Sequence, residues 1–302
     1  MFAGAAFTDQ ADIKVDADVV DTLVSLGVIE GFEDGSFQPN GTVTRAQMAK
    51  MIYVLRTGNS DASAYNDDKT SFTDIGSHWA RGYIKYCQSL GIIAGKSNTK
   101  FAPNDKVTAQ EAAKMLLVTL GYDATKAGLV GAGWAAKTNA LADEAGLLED
   151  VNTSFTAACP RQYAAQLIYN AIDAVTVAWR DDAYTKYNYN GNENKTIGEK
   201  YMGLNKTVGI LNDVTKDTDK NTYSLNVTVN QTESTGKKLD AFTKVTKDYS
   251  ALKYQKVKVL YKDTDEVYGV FALTDSNKVI SGLLGDFGTS SDKLKLNGTK
   301  YT

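Results

Sequence analysis

Arg45 sits in the stretch Val43-Thr44-Arg45-Ala46-Gln47. Thr44 with Gln47 three residues on is a capping box, in which each side chain satisfies an orphan backbone N–H of the other. Arg45 then falls at the first helical position, where the helix dipole disfavours a cation by roughly a few tenths of a kcal/mol. Arg161, directly after Pro160, repeats the arrangement. Two accounts fit these residues. The arginine is either solvated or paired with a neighbouring acid such as Asp74, or it converges with helix N-terminal N–H groups on one anion. Other chemistry is thinly represented. His78 is the only histidine, and no nucleophile motif or pair of carboxylates on a readable scaffold accompanies it. No catalytic residue, metal site or cofactor is therefore expected. Asp217, Asp219 and Asn221 have calcium-loop spacing, but Thr222 and Thr228 stand where that loop needs glycine and a bidentate acid. A turn is expected there instead. Cys87 and Cys159 read as small buried hydrophobes rather than a disulfide.

The elements that carry these residues are written more than once. Residues 26–52 align with 90–116 without a gap, at a constant offset of 64. Leu26, Gly27, Ile29, Gly31, Phe37, Pro39 and Asn40 meet Leu90, Gly91, Ile93, Gly95, Phe101, Pro103 and Asn104, and Thr44 meets Thr108. Upstream, Phe7-Thr8-Asp9 matches Phe72-Thr73-Asp74. A third, worn copy runs through Trp134, Gly146, Phe155 and Pro160-Arg161, with Ala165, Leu167 and Ile168 on the pattern of Ala49, Met51 and Ile52. Such self-similarity marks a repeated supersecondary unit. Each unit reads as helix, loop, helix. Tyr83, Ile84, Cys87 and Leu90 recur at helical spacing before Gly91, where a left-handed cap belongs, and Val19, Val20, Leu23 and Leu26 do so before Gly27. Two departures stand out: Ala109 replaces the arginine in the second copy, and Val15 stands in the first where the others have Trp79 and Trp134.

The stretch from Phe72 to Leu116, with its F-x-D, H-W-A, L-G-I-x-x-G and F-x-P segments and a variant of T-R-A-E, resembles a surface-layer homology (SLH) domain. The likeness covers about residues 7 to 180 and is weaker in the third copy. It implies a pseudo-threefold all-α module of three helix-loop-helix repeats, whose grooves bind a cell-wall polymer without covalent attachment. The implied ligand is an anionic secondary polysaccharide, commonly pyruvylated, which fits the anion reading of the arginine. By position, Arg45 and Arg161 match the signature arginine, Trp79 and Trp134 the groove aromatic, and Asp74 the groove acid. Thr44 and Gln47 complete the polysaccharide-binding set. A tryptophan against a sugar face would supply apolar contact, although it could equally cap the core. Pairing each arginine with a neighbouring repeat's aromatic makes Arg45 with Trp79 the best surviving groove, and leaves the groove of Ala109 dead.

The totals agree with an exported, non-enzymatic anchor. Of 302 residues 43% are hydrophobic and 23% charged, so the chain should fold into more than one domain. A net charge of −3 without a basic block argues against nucleic acid. No apolar run approaches the roughly 20 residues of a membrane span. Residues 1–6 resemble the small-residue end of a secretory signal. The repeats occupy 7–57, 70–121 and 130–179, followed by a polar linker with a short helix, 180–204. From 205 to 302 the period becomes two, and a small antiparallel β-barrel or sandwich is expected. Asn297-Gly298 signals a hairpin whose return strand is short, so the natural protein is expected to continue beyond Thr302. The overall expectation is an α+β multidomain protein of the cell surface, bound to secondary wall polysaccharide or peptidoglycan and able to assemble into an array. The alternatives are the anchor of a polysaccharide-acting enzyme whose catalytic domain lies elsewhere, and binding of peptidoglycan-linked polyamines, which would leave Arg45 unexplained.

Overall fold

The computed structural model describes residues 7–273, 287–290, 293–296 and 299–301. The signal-like start and the Asn297-Gly298 turn lie outside them. The first 173 residues supply six α-helices: α1 (Ala17–Ser25), α2 (Arg45–Thr57), α3 (Arg81–Ser89), α4 (Ala109–Leu120), α5 (Trp134–Glu144) and α6 (Arg161–Asp173). The expected helix starts are present. Thr44 and Thr108 accept from the N–H groups of Gln47 and Glu111 at 3.1 and 3.0 Å, and both reciprocal bonds form. Gly27, Gly91 and Gly146 hold φ between 68° and 72° and end the first helix of each unit, a conformation costly to any residue with a Cβ.

The three units close on one another through a ring of backbone bonds. Val43 N–H donates to the Cys159 carbonyl (3.0 Å), Cys159 N–H to Val107 (2.8 Å) and Val107 N–H to Val43 (3.0 Å). All three residues are at most 1% exposed, so these bonds are made without competition from water. Each second helix then rests its N-terminus on another unit's loop. Arg45 and Ala46 donate to the carbonyls of Asp105 and Pro103, Gln110 to Phe155, and Arg161 and Gln162 to Gly41 and Pro39. The orphan N–H groups of α2, α4 and α6 are thus satisfied by chain distant in sequence. The first helices pack in the same rotation, α3 on α2, α5 on α4 and α1 on α6.

The β-region differs from expectation in two ways. Residues 180–204 are more than a polar linker. β1 (Ala178–Arg180) and β2 (Ala183–Thr185) form a hairpin whose turn, Asp181-Asp182, has positive φ at both residues. Asp-Asp carries that turn less strongly than the Asn-Gly signal, which is why the sequence hides it. Beyond it, Thr196 and Glu199 cap a π-helical turn, Gly198–Met202. Ile197, Met202 and Leu204 are buried in the helical core.

The second difference is that no barrel closes among the described strands. β3 (Asn205–Asp217), β4 (Thr222–Val229), β5 (Ala241–Val245), β6 (Lys256–Asp263) and β7 (Glu266–Ala272) form an open antiparallel sheet ordered β5-β4-β3-β6-β7. β3 pairs with β6 through residues 205–210 and with β4 through 209–217, with a register shift between Leu211 and Asp213. A shift of this kind bends the strand locally. Edge strand β5 meets the β6–β7 turn through a backbone bond, Thr243 N–H to the Thr264 carbonyl, but no β5–β7 ladder is formed among the described strands. One face buries Leu211, Leu225, Val227, Phe242, Val257, Val259, Tyr261 and Val270. The hairpin turn expected at Asp263–Glu266 is present, and Asp217 caps the β3–β4 turn by accepting from the Asp219 and Lys220 N–H groups. A separate three-stranded sheet joins β8 (Phe287–Ser290), β9 (Lys293–Leu296) and β10 (Thr299–Tyr301). The fold is mixed α+β with antiparallel sheets.

Candidate functional site

Asp74 is committed to its own loop. Its two carboxylate oxygens accept from Phe101 N–H (3.0 Å) and Ala102 N–H (2.8 Å). Asp9 does the same for Phe37 and Gln38, both at 2.8 Å. Gln38 and Ala102 hold positive φ, 56° and 58°, so the aspartate of each F-x-D segment clamps a strained loop residue. Burial raises the Asp74 pKa, but the two N–H donors outweigh it and hold the carboxyl below its ordinary value.

The arginines are also struts. Arg45 is 4% exposed. Its Nε donates to the Phe101 carbonyl (3.0 Å) and its terminal nitrogen to Ala94 (2.6 Å), with the guanidinium 4.5 Å from the Phe101 ring centre. Arg161 repeats this against the first unit: it donates to the Glu30 carbonyl and lies 5.2 Å from Phe37 and 4.9 Å from Phe32. Glu30 and Phe37 align with Ala94 and Phe101. Each arginine therefore holds the loop on which its helix docks. Arg161 differs in one respect: its Nε is buried without a hydrogen-bond partner. Burial holds its pKa down to about 10 against the pull of Glu30, as expected of a partly desolvated cation short of acceptors.

The rotation of the units fixes which aromatic meets which arginine. A cavity of about 190 Å³ is lined by Glu30, Phe32, Gln47, Lys50, Trp79 and Arg161, among others. A second hollow of about 250 Å³ shares Gln47, Phe32 and Arg161 as lining residues and reaches Thr44 and Lys106. Trp79 is thus grouped with Arg161 and Lys50, not with Arg45. Its ring is 56% exposed and flanked by His78 and Tyr83 at 5.5 and 6.1 Å. Arg45 belongs one groove further on. There Lys114, depressed by burial and by the charge of Arg45, lies 5.4 Å over the half-buried Trp134. Ala109 and Val15 fall together in the third groove, so both departures in the sequence damage the same site. Two grooves keep an arginine, a lysine and a tryptophan.

Lys50 and Lys114 were the residues that motif reading passed over. They are identical and aligned in the first two copies, a signal masked by the attention that a helix-start arginine attracts. Cys87 and Cys159 are both free and fully buried. Burial pushes each thiol up to about 12.

The S-layer homology domain family model matches residues 6–49 and 71–113, which hold the first two loops and helix starts. A "Cell surface protein" of Thermoanaerobacter kivui is 28% identical over 59% of this chain and 23% of its own length. A "Cellulosome-anchoring protein" of Acetivibrio thermocellus is 27% identical over 36% of the chain and 25% of its own length. An "Exoglucanase XynX" of the same species is 35% identical over 31% of the chain and 8% of its own length. The chain spans a quarter or less of each relative. No described helix is long and apolar enough to cross a membrane. The matched segments hold the aspartate clamps, the capping boxes of α2 and α4, the Arg45 strut and Trp79, and over these residues the chain matches the S-layer homology domain.

Proposed function

We propose that the three helical units form a pseudo-threefold S-layer homology module that anchors a non-catalytic surface protein to the cell wall. It does so by non-covalent binding of an anionic, pyruvylated secondary polysaccharide in two grooves. The observation that carries this reading is the Arg161 groove. There the Arg161 side chain lines the same cavity as an exposed tryptophan and a lysine. A ketal carboxylate would pair with the guanidinium charge, and the Trp79 face would take the apolar side of the sugar. Lys50 would add a second positive charge, now held by Glu30 at 3.2 Å. Arg45, Lys114 and Trp134 are the equivalent set in the second groove, where Lys114 lies 5.4 Å over Trp134. Thr44 and Gln47 border the first groove and fix the helix start rather than contact ligand directly. Asp74 acts one step back, by holding the loop on which Arg45 rests. A name such as "Cellulosome-anchoring protein" among the relatives supports anchoring, and an exoglucanase relative shows that similar modules also accompany enzymes. Whatever further domains the whole protein has would set its activity.

Co-sedimentation with purified sacculi, native or acid-stripped of secondary polymer, tests the proposal. Binding to native sacculi alone is expected. Trp79→Ala should weaken it about tenfold, equivalent to about 1.4 kcal/mol, while leaving the melting temperature unchanged because the ring is largely exposed. Equal binding to stripped sacculi would redirect the reading to peptidoglycan, and binding to neither would overturn it.

A further inference from the structure

The third groove has not merely decayed. Its wall is rebuilt, and the protein's own sheet is seated against it. Next to Trp79 of the first groove, Tyr53 of α2 is ringed by Tyr83 and Tyr86 of α3, at 5.2 and 4.9 Å, and Tyr83 meets the Trp79 ring at 6.1 Å. In the third groove the residue aligned with Tyr53 is Tyr169 of α6, still aromatic. The residues aligned with Trp79, Tyr83 and Tyr86 are Val15, just before α1, and Val19 and Thr22 within it. Three large rings have become three small, buried side chains. A wall cut back this far, left open, would lose its packing contacts.

The sheet is seated against this wall. Phe271 of β7 is buried and meets Tyr169 at 5.5 Å, the contact that a tyrosine of α3 makes in the first groove. β7 comes so close to α1 that a Cβ on Gly269 would stand 2.9 Å from Thr22 Oγ1. Lys258 of β6 lies 4.7 Å over Tyr169 and 5.4 Å over Phe271, and its ammonium pairs with Asp173 at 2.7 Å. Lys206 reaches the other oxygen of Asp173 at 3.9 Å, and Lys247 reaches Asp21 of α1 at 3.3 Å. Burial works against the Lys258 charge, yet Asp173 and Tyr169 raise its pKa. Asp173 is lowered by Lys258 and Lys206 against the cost of its own burial. The chain also enters β3 from a fixed point, since Ile197, Met202 and Leu204 are packed in the helical core.

We propose that the third groove is an intramolecular socket, shaped by Val15, Val19 and Thr22 to receive β7, which locks the β-sheet and the helices into one rigid body. On the polymer reading above, the wall has two grooves rather than three, because Ala109 and Val15 stand where the third would need an arginine and a tryptophan. A cleft of about 520 Å³ remains beside the seated strand, bordered by Glu149, Asn152, Gln166 and Asn170, which is the part of the groove that the sheet does not fill. A rigid joint suits a protein that must hold its outer part at a set angle to the wall, because a flexible link would spread that angle over many values.

The test needs no polymer, so its failure is separate from any failure of the anchoring proposal. Nitroxide labels on cysteines placed at the exposed positions Asn104 and Asn226 report the helix-to-sheet distance in the full chain, and the buried native thiols stay unlabelled. The parent should give one narrow distance distribution. Thr22→Tyr, which restores the first groove's bulk, should displace β7 and at least double the width of that distribution. Where Thr22→Tyr fails to fold, Asp173→Asn keeps the shape, removes the charge that holds Lys258, and should broaden the distribution in the same direction. A broad distribution in the parent would overturn the rigid joint. A narrow distribution that survives both substitutions would show that the socket is not what holds the sheet.

Discussion

Arg45→Ala should destabilise the protein by about 3 kcal/mol with no ligand present. The side chain is 4% exposed and gives two hydrogen bonds, to the carbonyls of Phe101 at 3.0 Å and Ala94 at 2.6 Å. A bond from a charged donor contributes a net of about 1.5–3 kcal/mol, and the stacking on Phe101 adds roughly 0.5–1 kcal/mol. Removing a buried charge returns part of its desolvation cost, which brings the sum back to about 3 kcal/mol. The loss falls on the link between α2 and the second loop, while the Thr44–Gln47 cap survives. Arg45→Met keeps most of the buried aliphatic stem and should cost less, about 2 kcal/mol. The assay is urea unfolding at neutral pH, where both variants should lower the midpoint without changing the slope. A loss below about 1 kcal/mol for Arg45→Ala would refute the strut. It would mean that water satisfies the two carbonyls as well as the guanidinium does. The same numbers bear on polymer binding. A loss of affinity in Arg45→Ala can be assigned to the groove only at urea-free, low-temperature conditions where the variant is folded.

Asp74→Asn should remove an acid-sensitive part of the stability. The Asp74 carboxyl is depressed in the fold, so its contribution is present above the unfolded value of about 4 and is lost as pH falls through the lower folded value. The midpoints of parent and variant should differ most at neutral pH and converge as the pH drops towards about 2; a gap independent of pH would refute the clamp. Cys87 and Cys159, with thiols pushed up to about 12, should stay unmodified by a disulfide reagent at pH 8 until the chain unfolds. Modification of folded protein at the rate of a free thiol would contradict their burial.

The local grammar was legible in the residues themselves. Thr44-x-x-Gln47 and Thr108-x-x-Glu111 wrote the caps, Gly27, Gly91 and Gly146 the helix ends, and alternating Leu225 and Val227 the strand face, because each depends on neighbours a few positions away. The even offset between copies disclosed the repeat, and the two departures, Ala109 and Val15, were visible as departures. Which residues share a groove was not legible. It depends on the direction in which the three units close, set by the bonds among Val43, Cys159 and Val107 and by each helix start resting on another unit's loop. That rotation put Trp79 with Arg161, and Ala109 with Val15. It also turned Arg45 from an unexplained cation into a cross-unit strut, because the carbonyls that satisfy it lie 49 and 56 residues away in sequence. Val19 and Thr22 looked like ordinary helix residues until Phe271 stood opposite them. Period and spacing determine what a segment becomes, whereas the fit between segments far apart in the chain is decided by tertiary packing alone.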